Sequence, residues 1–331
     1  MQLPQDLRAA LESELSSLPA KRLSTAAMEL SHRYREASPA KGAPLVRSRE
    51  DVAAYAAVRL PATFAAVYAA LRQAKGRLPS LEPRTLLDAG AGPGTAMWAA
   101  AALWPSLAEV TLLERDADMI HVGRRLAAHS RSAALQQAEW VPTNLAKAWE
   151  TKAHDLVTAA YVLGELPQGS QEMLVHTLWE KTQSLLVLVE PGTPAGFSRI
   201  RTARDQLLAA GAKTIAPCPH DAACPLSGTD WCHFAQRVER SSLHRLVKAG
   251  VLSYEDEKFS FVAVSRLDPV PIHGRVIRHP QVRGGHVRLE VCAPQGLQST
   301  VITRKDRDLF RKARDLIWGS AMVCENDDEL K

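Results

Sequence analysis

Ten residues, "LLDAGAGPGT" (Leu86–Thr95), constrain what this chain can fold into more than any other stretch. Two leucines of the buried type lead into Asp88, and Gly90, Gly92 and Gly94 then open a helix running through Trp98 to Leu103. Glycine lets the backbone turn tightly and approach a ligand closely, with helix N–H groups aimed at it. Short apolar runs then alternate with helical patterns. "EVTLLERD" precedes a helix around Met119–Ala128, and "AEWVP" reads as a third strand. "HDLVTAAYVL" precedes a helix near Glu172–Thr182, and "SLLVLVEPG" follows. Such alternation predicts an α/β fold, a Rossmann-like parallel sheet with helices on both faces.

The flanking regions read differently. Leu7, Ala10, Leu11 and Leu15 recur at helical spacing, as do Ala54, Val58, Phe64, Val67 and Leu71. They predict a helical N-terminal domain over residues 1–80, broken by a loop from Arg35 and restarted at Ser48 with acids in the first turn. The cofactor-type domain would cover 81–267, with a cysteine loop inserted at 216–234. Within it, "RSSLHRLVKAG" reads as a helix and "KFSFVAVSRL" as a strand. A basic, β-rich extension would occupy 268–320: a hairpin in "IHGRVIRHPQVRGGHVRLEVC", then a helix in "TRKDRDLFRKARDLIWG". Residues 321–331 read as a disordered tail.

With 331 residues, 46% hydrophobic and 23% charged, the chain has globular proportions. No uninterrupted apolar run approaches the ~20 residues of a membrane span, so no membrane partner is expected. The N-terminus has neither an apolar signal core nor an acid-poor transit composition, and a cytoplasmic location is the expectation. Thiols there stay reduced, so clustered cysteines point to metal or catalysis before disulfides.

The glycine turn is spaced G-x-G-x-G, not the G-x-G-x-x-G of a dinucleotide fingerprint. With Asp88 ahead of it, it resembles motif I of class I S-adenosylmethionine-dependent methyltransferases, where the turn wraps the methionine moiety. The cofactor-binding candidates are therefore Asp88, Ala89, Gly90, Gly92 and Gly94. Glu114 closes the next strand, where an acid accepts ribose hydroxyls; Asn144, past the third strand, is the adenine-side candidate. An NAD site is the competing reading, because Glu114 would serve either cofactor. No catalytic residue is evident. The segment after the fourth strand, "AAYVLGELP", lacks the Asn/Asp-Pro-Pro-aromatic motif of base amino-methyltransferases. Glu165 and Glu190 sit near strand ends, where surface or cap-type acids are equally common.

Three of five cysteines crowd into "CPHDAACPLSGTDWC": Cys218, Cys224 and Cys232. The C-x5-C-x7-C spacing matches neither the paired C-x2-C of zinc ribbons nor small ferredoxins. Three thiols in a Pro-rich loop with little core-forming capacity favour metal stapling. His220, His233, Cys292 and Cys324 are the candidates for a fourth ligand, and spacing does not separate zinc from iron–sulfur. Between Val270 and Arg314 there are ten Lys/Arg against three acids. Arg275, Arg278, Arg283 and Arg288 lie on the expected hairpin, while Arg304, Lys305, Arg307, Arg311, Lys312 and Arg314 lie on the final helix. A patch of this kind contacts phosphate backbones; a solvated helix face is the plainer alternative.

Several segments together resemble one family, the methyltransferase-like small-ribosomal-subunit assembly factors. They are "LLDAGAGPGT", "LVLVEPGTPAGF", "CPHDAACPL", "DWCHFAQRVERS", "YEDEKFSFVAVSR", "HPQVRGGHVRLEVC" and "ARDLIWG". The resemblance implies a class I methyltransferase fold with a metal-stapled C-terminal extension. It also implies a 4Fe–4S cluster on Cys218, Cys224, Cys232 and Cys292, favoured over zinc. The partners it implies are small-subunit ribosomal RNA and the assembling small ribosomal subunit, with no DNA. Methylation of a ribosomal RNA base and a non-catalytic assembly or checkpoint role both stay open. An NAD-dependent enzyme with structural zinc is a third reading.

Overall fold

The computed structural model describes residues 1–16, 19–36, 46–240 and 253–322. The helix expected in "RSSLHRLVKAG", the tail beyond residue 322 and Cys324 lie outside them. The chain begins with α1 (Gln5–Leu15), α2 (Ala20–Glu36), α3 (Arg49–Ala54) and α4 (Leu60–Arg77). Ser48 caps α3, its side chain accepting from the Asp51 N–H at 3.1 Å, with Glu50 and Asp51 favourably placed at the positive helix end. Between α3 and α4 the helix continues through a π turn, Tyr55–Arg59. Arg49–Arg77 is long and apolar enough to cross a membrane, but 83% of its apolar window is buried inside the protein. Its apolar surface is used on the sheet.

The sheet is built from β1 (Thr85–Ala89), β2 (Glu109–Glu114), β3 (Glu139–Pro142), β4 (His154–Ala160) and β5 (Thr182–Pro191), all parallel. Helices α5 (Thr95–Leu103), α6 (Ala117–Ala128), α7 (Ala133–Gln136), α8 (Gln168–Glu180) and α9 (Pro194–Ala209) connect or flank them. Three further strands follow: β6 (Lys213–Ala216), β7 (Phe234–Glu239) and β8 (Tyr254–Ser265). The order is β3-β2-β1-β4-β5-β8-β6, with β8 antiparallel to β5 and to β6. Side chains alternate between faces with the strand period of two. Leu86, Leu112, Leu156 and Leu185 enter one core with α1, α4, α5 and α6, while Leu87, Leu113, Val157 and Leu186 enter the other with α8 and α9. Leu7, Leu60, Phe64 and Val67 thus share their core with the sheet, while a smaller cluster around Leu15, Leu23 and Leu30 is built from the N-terminal helices.

Two strands share one edge of β8. Its second half pairs with β6 and its first half with β7, so the cysteine loop is the connection between them. The first half of β8 overshoots Pro191, the last residue of β5, and stands above the carboxyl edge of the parallel strands.

The C-terminal region forms its own sheet: β9 (Gly274–Val276), β10 (Gln281–Val282), β11 (His286–Ala293), β12 (Gly296–Thr303) and β13 (Ala321–Met322), with α10 (Arg307–Asp315) against it. The Gly284–Gly285 hairpin joins β10 to β11. A second hairpin, β11–β12, is longer and pairs eight residues with eight. Arg275 departs from expectation: it is 2% exposed and donates to the carbonyls of Pro217 and Gly319, both at 2.9 Å. It ties the sheet to the cysteine loop instead of facing a partner. Arg278 likewise pairs with Asp230.

Candidate functional site

The turn after β1 carries three left-handed residues, Gly90 (φ 72°), Gly92 (φ 54°) and Gly94 (φ 81°). Gly90 has no room for a side chain: a Cβ would stand 2.6 Å from Val162 Cγ2. Gly92 faces open space, and Gly94 caps α5. The Gly92 N–H donates to Glu114 Oε2 at 2.8 Å, while Glu114 Oε1 accepts from the Arg115 and Asp116 N–H groups at 2.8 and 2.9 Å. The first and second strand ends are thereby locked together around one cavity. Gly90, Gly92, Glu114 and Asn144 all line it. Asn144 is exposed, its Oδ1 accepting from the Ala146 N–H at 3.0 Å. Asp88 and Ala89 lie beneath the turn, both buried.

Asp88 accepts from the Thr158 hydroxyl at 2.7 Å. Burial raises its pKa to about 7, with the Thr158 bond opposing and Glu114 adding to the shift. Its folded pKa lies above the unfolded value, so the folded state holds a proton that the unfolded state has released. Stability from this group is therefore lost as pH rises from about 4 to about 7. In urea titrations, Asp88→Asn is expected to flatten that decline, leaving the variant the more stable relative to wild type at pH 8. A wild-type slope unchanged in the variant would refute the assignment.

Three wall residues carry no sequence signal. Tyr55 comes from the π turn, and such turns often mark functional sites. Tyr161, directly after β4, has φ 61°, unusual for a non-glycine residue. Its hydroxyl donates to Glu257 Oε1 at 2.9 Å, and the Arg59 guanidinium lies 5.7 Å from its ring centroid. Val162 closes over Gly90. Only the placement of the π turn and of β8 brings these residues together, so local periodicity does not reveal them. Glu165 lines the rim, where protein packed around its carboxyl raises the pKa; Arg115 opposes this, while Glu114 and Glu190 add to it. Glu190 is 1% exposed, accepting from the Leu163 N–H at 3.1 Å and from Arg199 Nε at 2.6 Å. It clamps the loop after β4 to α9.

A second cavity is lined by Cys218, Cys224, Cys232 and Cys292, brought from the β6–β7 connection and from β11. Cys292 Sγ lies 3.7 Å from His220 Nε2. Among the described residues, no three His, Cys, Asp or Glu side chains form a group that could hold a metal ion. The sulfurs border a shared space instead. Burial raises the Cys218 thiol, pushes Cys232 well up and takes Cys292 to about 12; the neighbouring cysteines add to each shift, while Arg204 and Arg275 oppose it at Cys218 and Cys292. Arg204 is 3% exposed and donates to the carbonyls of His220 and Ala222 at 3.0 and 2.8 Å. Arg204 Nε and Arg275 Nη2 are both buried without a partner.

The sheet order, the reversed β8 and the left-handed glycine turn after β1 define a class I methyltransferase-type fold. The sequence pattern of the family described as mitochondrial small ribosomal subunit Rsm22 matches residues 49–323, and the chain belongs to that family. It is 33% identical over 288 residues to human ribosome assembly protein METTL17, mitochondrial, covering 81% of this chain and 61% of that protein. It is 25% identical to the Schizosaccharomyces pombe Rsm22-cox11 tandem protein 2, mitochondrial, across 83% of this chain and 43% of that one. The chain thus spans about two-fifths to three-fifths of these relatives' lengths. Among solved structures, a Burkholderia thailandensis O-methyltransferase family protein is similar at TM-score 0.42 and 13% identity, covering 67% of this chain and 61% of that one. Magnesium protoporphyrin IX methyltransferase of Synechocystis, with bound SAH, is similar at TM-score 0.41 and 15% identity, covering 72% and 94%. The family and both relatives are mitochondrial by description, which overturns the cytoplasmic location expected above. That expectation rested on leader composition alone, weaker evidence than kinship along most of the chain.

Proposed function

We propose that this protein is an assembly factor of the mitochondrial small ribosomal subunit. It binds ribosomal RNA, holds S-adenosylmethionine in the glycine-turn cavity and carries a 4Fe–4S cluster on Cys218, Cys224, Cys232 and Cys292. Family membership supports the ribosomal role. The cavity supports the cofactor: Gly90 and Gly92 bring bare backbone to its wall, and Glu114 is held at the ribose end by three N–H groups.

The observation that supports the cluster is the pair of buried guanidiniums, Arg204 at the cavity wall and Arg275 close to Cys218 and Cys292, each with an unpaired N–H. A single zinc ion would draw four sulfurs to ~2.3 Å from one point. Four thiolates also make the ligand set of a 4Fe–4S cluster, one for each iron, and the family resemblance favours that group over zinc. When bound, the cluster supplies a compact anionic core with redox capacity. Arg204 and Arg275 would balance its charge, and Arg275 and Cys292 would fasten the C-terminal sheet to the cofactor fold.

A second reading, methylation of an RNA base, has Glu165, an acid lining the cavity rim, as its candidate for proton transfer. One experiment addresses both. The tagged protein is expected to sediment with immature small-subunit particles in a gradient and to cross-link to their RNA. Mapping methylated bases in that RNA, with and without the gene, separates catalyst from assembly factor. Protein confined to the top of the gradient, without an RNA adduct, would sink the ribosomal reading.

A further inference from the structure

Flanking Cys232 at the border of the cysteine cavity, four rings pack in a row along the seam between the two sheets. Trp231 lies nearly parallel to His233, with centroids 5.0 Å apart and an angle of 19°. Trp318 meets His233 edge-on at 4.9 Å and His279 at 4.7 Å. Phe234 lies beneath them, fully buried, packed on Phe259 and Phe261 at 6.1 and 5.6 Å and on Trp318 at 6.4 Å. The buried phenylalanines hold the ladder from below. Trp231, His233 and Trp318 remain half-buried, and His279 is exposed.

Position and charge distinguish this ladder from core packing. Trp231 Nε1 donates at 3.0 Å to the carbonyl of Gly192, just beyond β5, and the Gly192 N–H donates to the Lys258 carbonyl at 2.9 Å. The rings therefore stand at the carboxyl edge of the parallel strands, the edge on which the glycine-turn cavity opens. Lys258 is exposed there, and Arg278 borders the rings through Asp230. Successive residues of a strand face opposite ways, so Glu257, bonded to Tyr161 at the cavity, and Lys258 flank the same stretch of β8. Rigid, partly wet rings beside an exposed lysine suit unpaired nucleobases, whose faces stack on the rings while a phosphate meets Lys258.

We infer that the Trp231–His233–Trp318–His279 ladder is a stacking platform for unpaired RNA bases. The inference rests on the RNA-binding reading above and extends it to a specific surface. Full-length protein is titrated with a fluorescently labelled single-stranded RNA 12-mer and with the same sequence as duplex, at several salt concentrations. Wild type is expected to prefer the single strand and to show quenched tryptophan emission on binding. His279→Ala and Trp231→Leu should each weaken single-strand binding about tenfold, within the range of one lost stacking contact, without changing the salt slope. Trp231→Phe should retain most of the affinity. Arg307→Glu, a phosphate-contact change, should instead reduce the slope. His279 is exposed, so its variant keeps the fold; matched thermal melts check the others. Unchanged affinity in both ladder variants, unquenched emission, or equal affinity for duplex would overturn the platform while leaving RNA binding intact. A wild-type protein that binds neither RNA form would remove both readings.

Discussion

Gly90→Ala is expected to weaken S-adenosylmethionine binding by at least about 100-fold. A left-handed alanine costs ~1–2 kcal/mol, and its Cβ would stand 2.6 Å from Val162 Cγ2 and 3.0 Å from Val162 Cβ. Val162 is buried in the loop that Glu190 clamps, so it has little room to withdraw, and overpacking of this kind adds ~1–3 kcal/mol. Relief has to come from the glycine turn itself, which would shift the Gly92 N–H away from Glu114. Gly92→Ala is the informative comparison. Its Cβ would meet nothing within 4 Å, so only the left-handed backbone cost of ~1–2 kcal/mol lowers its thermal stability, less than in Gly90→Ala, while the methyl intrudes on the cavity. Isothermal titration with the cofactor, paired with thermal melts, reads both effects. Binding by Gly90→Ala within threefold of wild type would remove the turn from the site.

The second large effect is expected at Cys292. Protein purified without oxygen should be brown with about four irons per chain; Cys292→Ser should lose most of that iron and its visible absorption. Structural metal binding contributes on the order of 10 kcal/mol to folding, so the variant should also melt at a much lower temperature. Proteolysis should then open the β9–β13 sheet first, because Cys292 and Arg275 are among its ties to the cysteine loop. Cys324→Ser is the control and should keep colour and iron. Colourless wild-type protein with one zinc would replace the cluster with a mononuclear site, and iron retained by Cys292→Ser would exclude this residue as a ligand.

Much of this architecture was legible because it rests on local patterns. Apolar runs around Leu86–Leu87 and Leu185–Leu188 read as strands of a parallel sheet, and Ser48 with its following acids reads as a helix start. Glycines before a helix read as a ligand turn. Arg275 misled because arginines in a basic run normally face water; its burial depends on two carbonyls supplied from Pro217 and Gly319, far apart in sequence. Strand β12 was missed because its outward residues, Gln298 to Thr300, lack an apolar alternation, and its existence depends on pairing with β11. Spacing leaves the fourth ligand open among His220, His233, Cys292 and Cys324, and the family resemblance points to Cys292. The convergence of Cys292 with the other three thiols on one cavity is a property of the folded chain.

The π turn at Tyr55–Arg59 sets the rotational phase of everything before it. Without its extra residue, an unbroken α-helix would rotate α3 about its axis by about 100° relative to α4. Tyr55 would swing off the cavity wall, and the buried stripe Val52–Ala53–Ala54 would turn away from its neighbours. The helix therefore works as two offset halves, one keyed to the sheet and the other to the cofactor cavity and the N-terminal helices. Arg59, at the joint, spans the offset by pairing with Glu257 on β8.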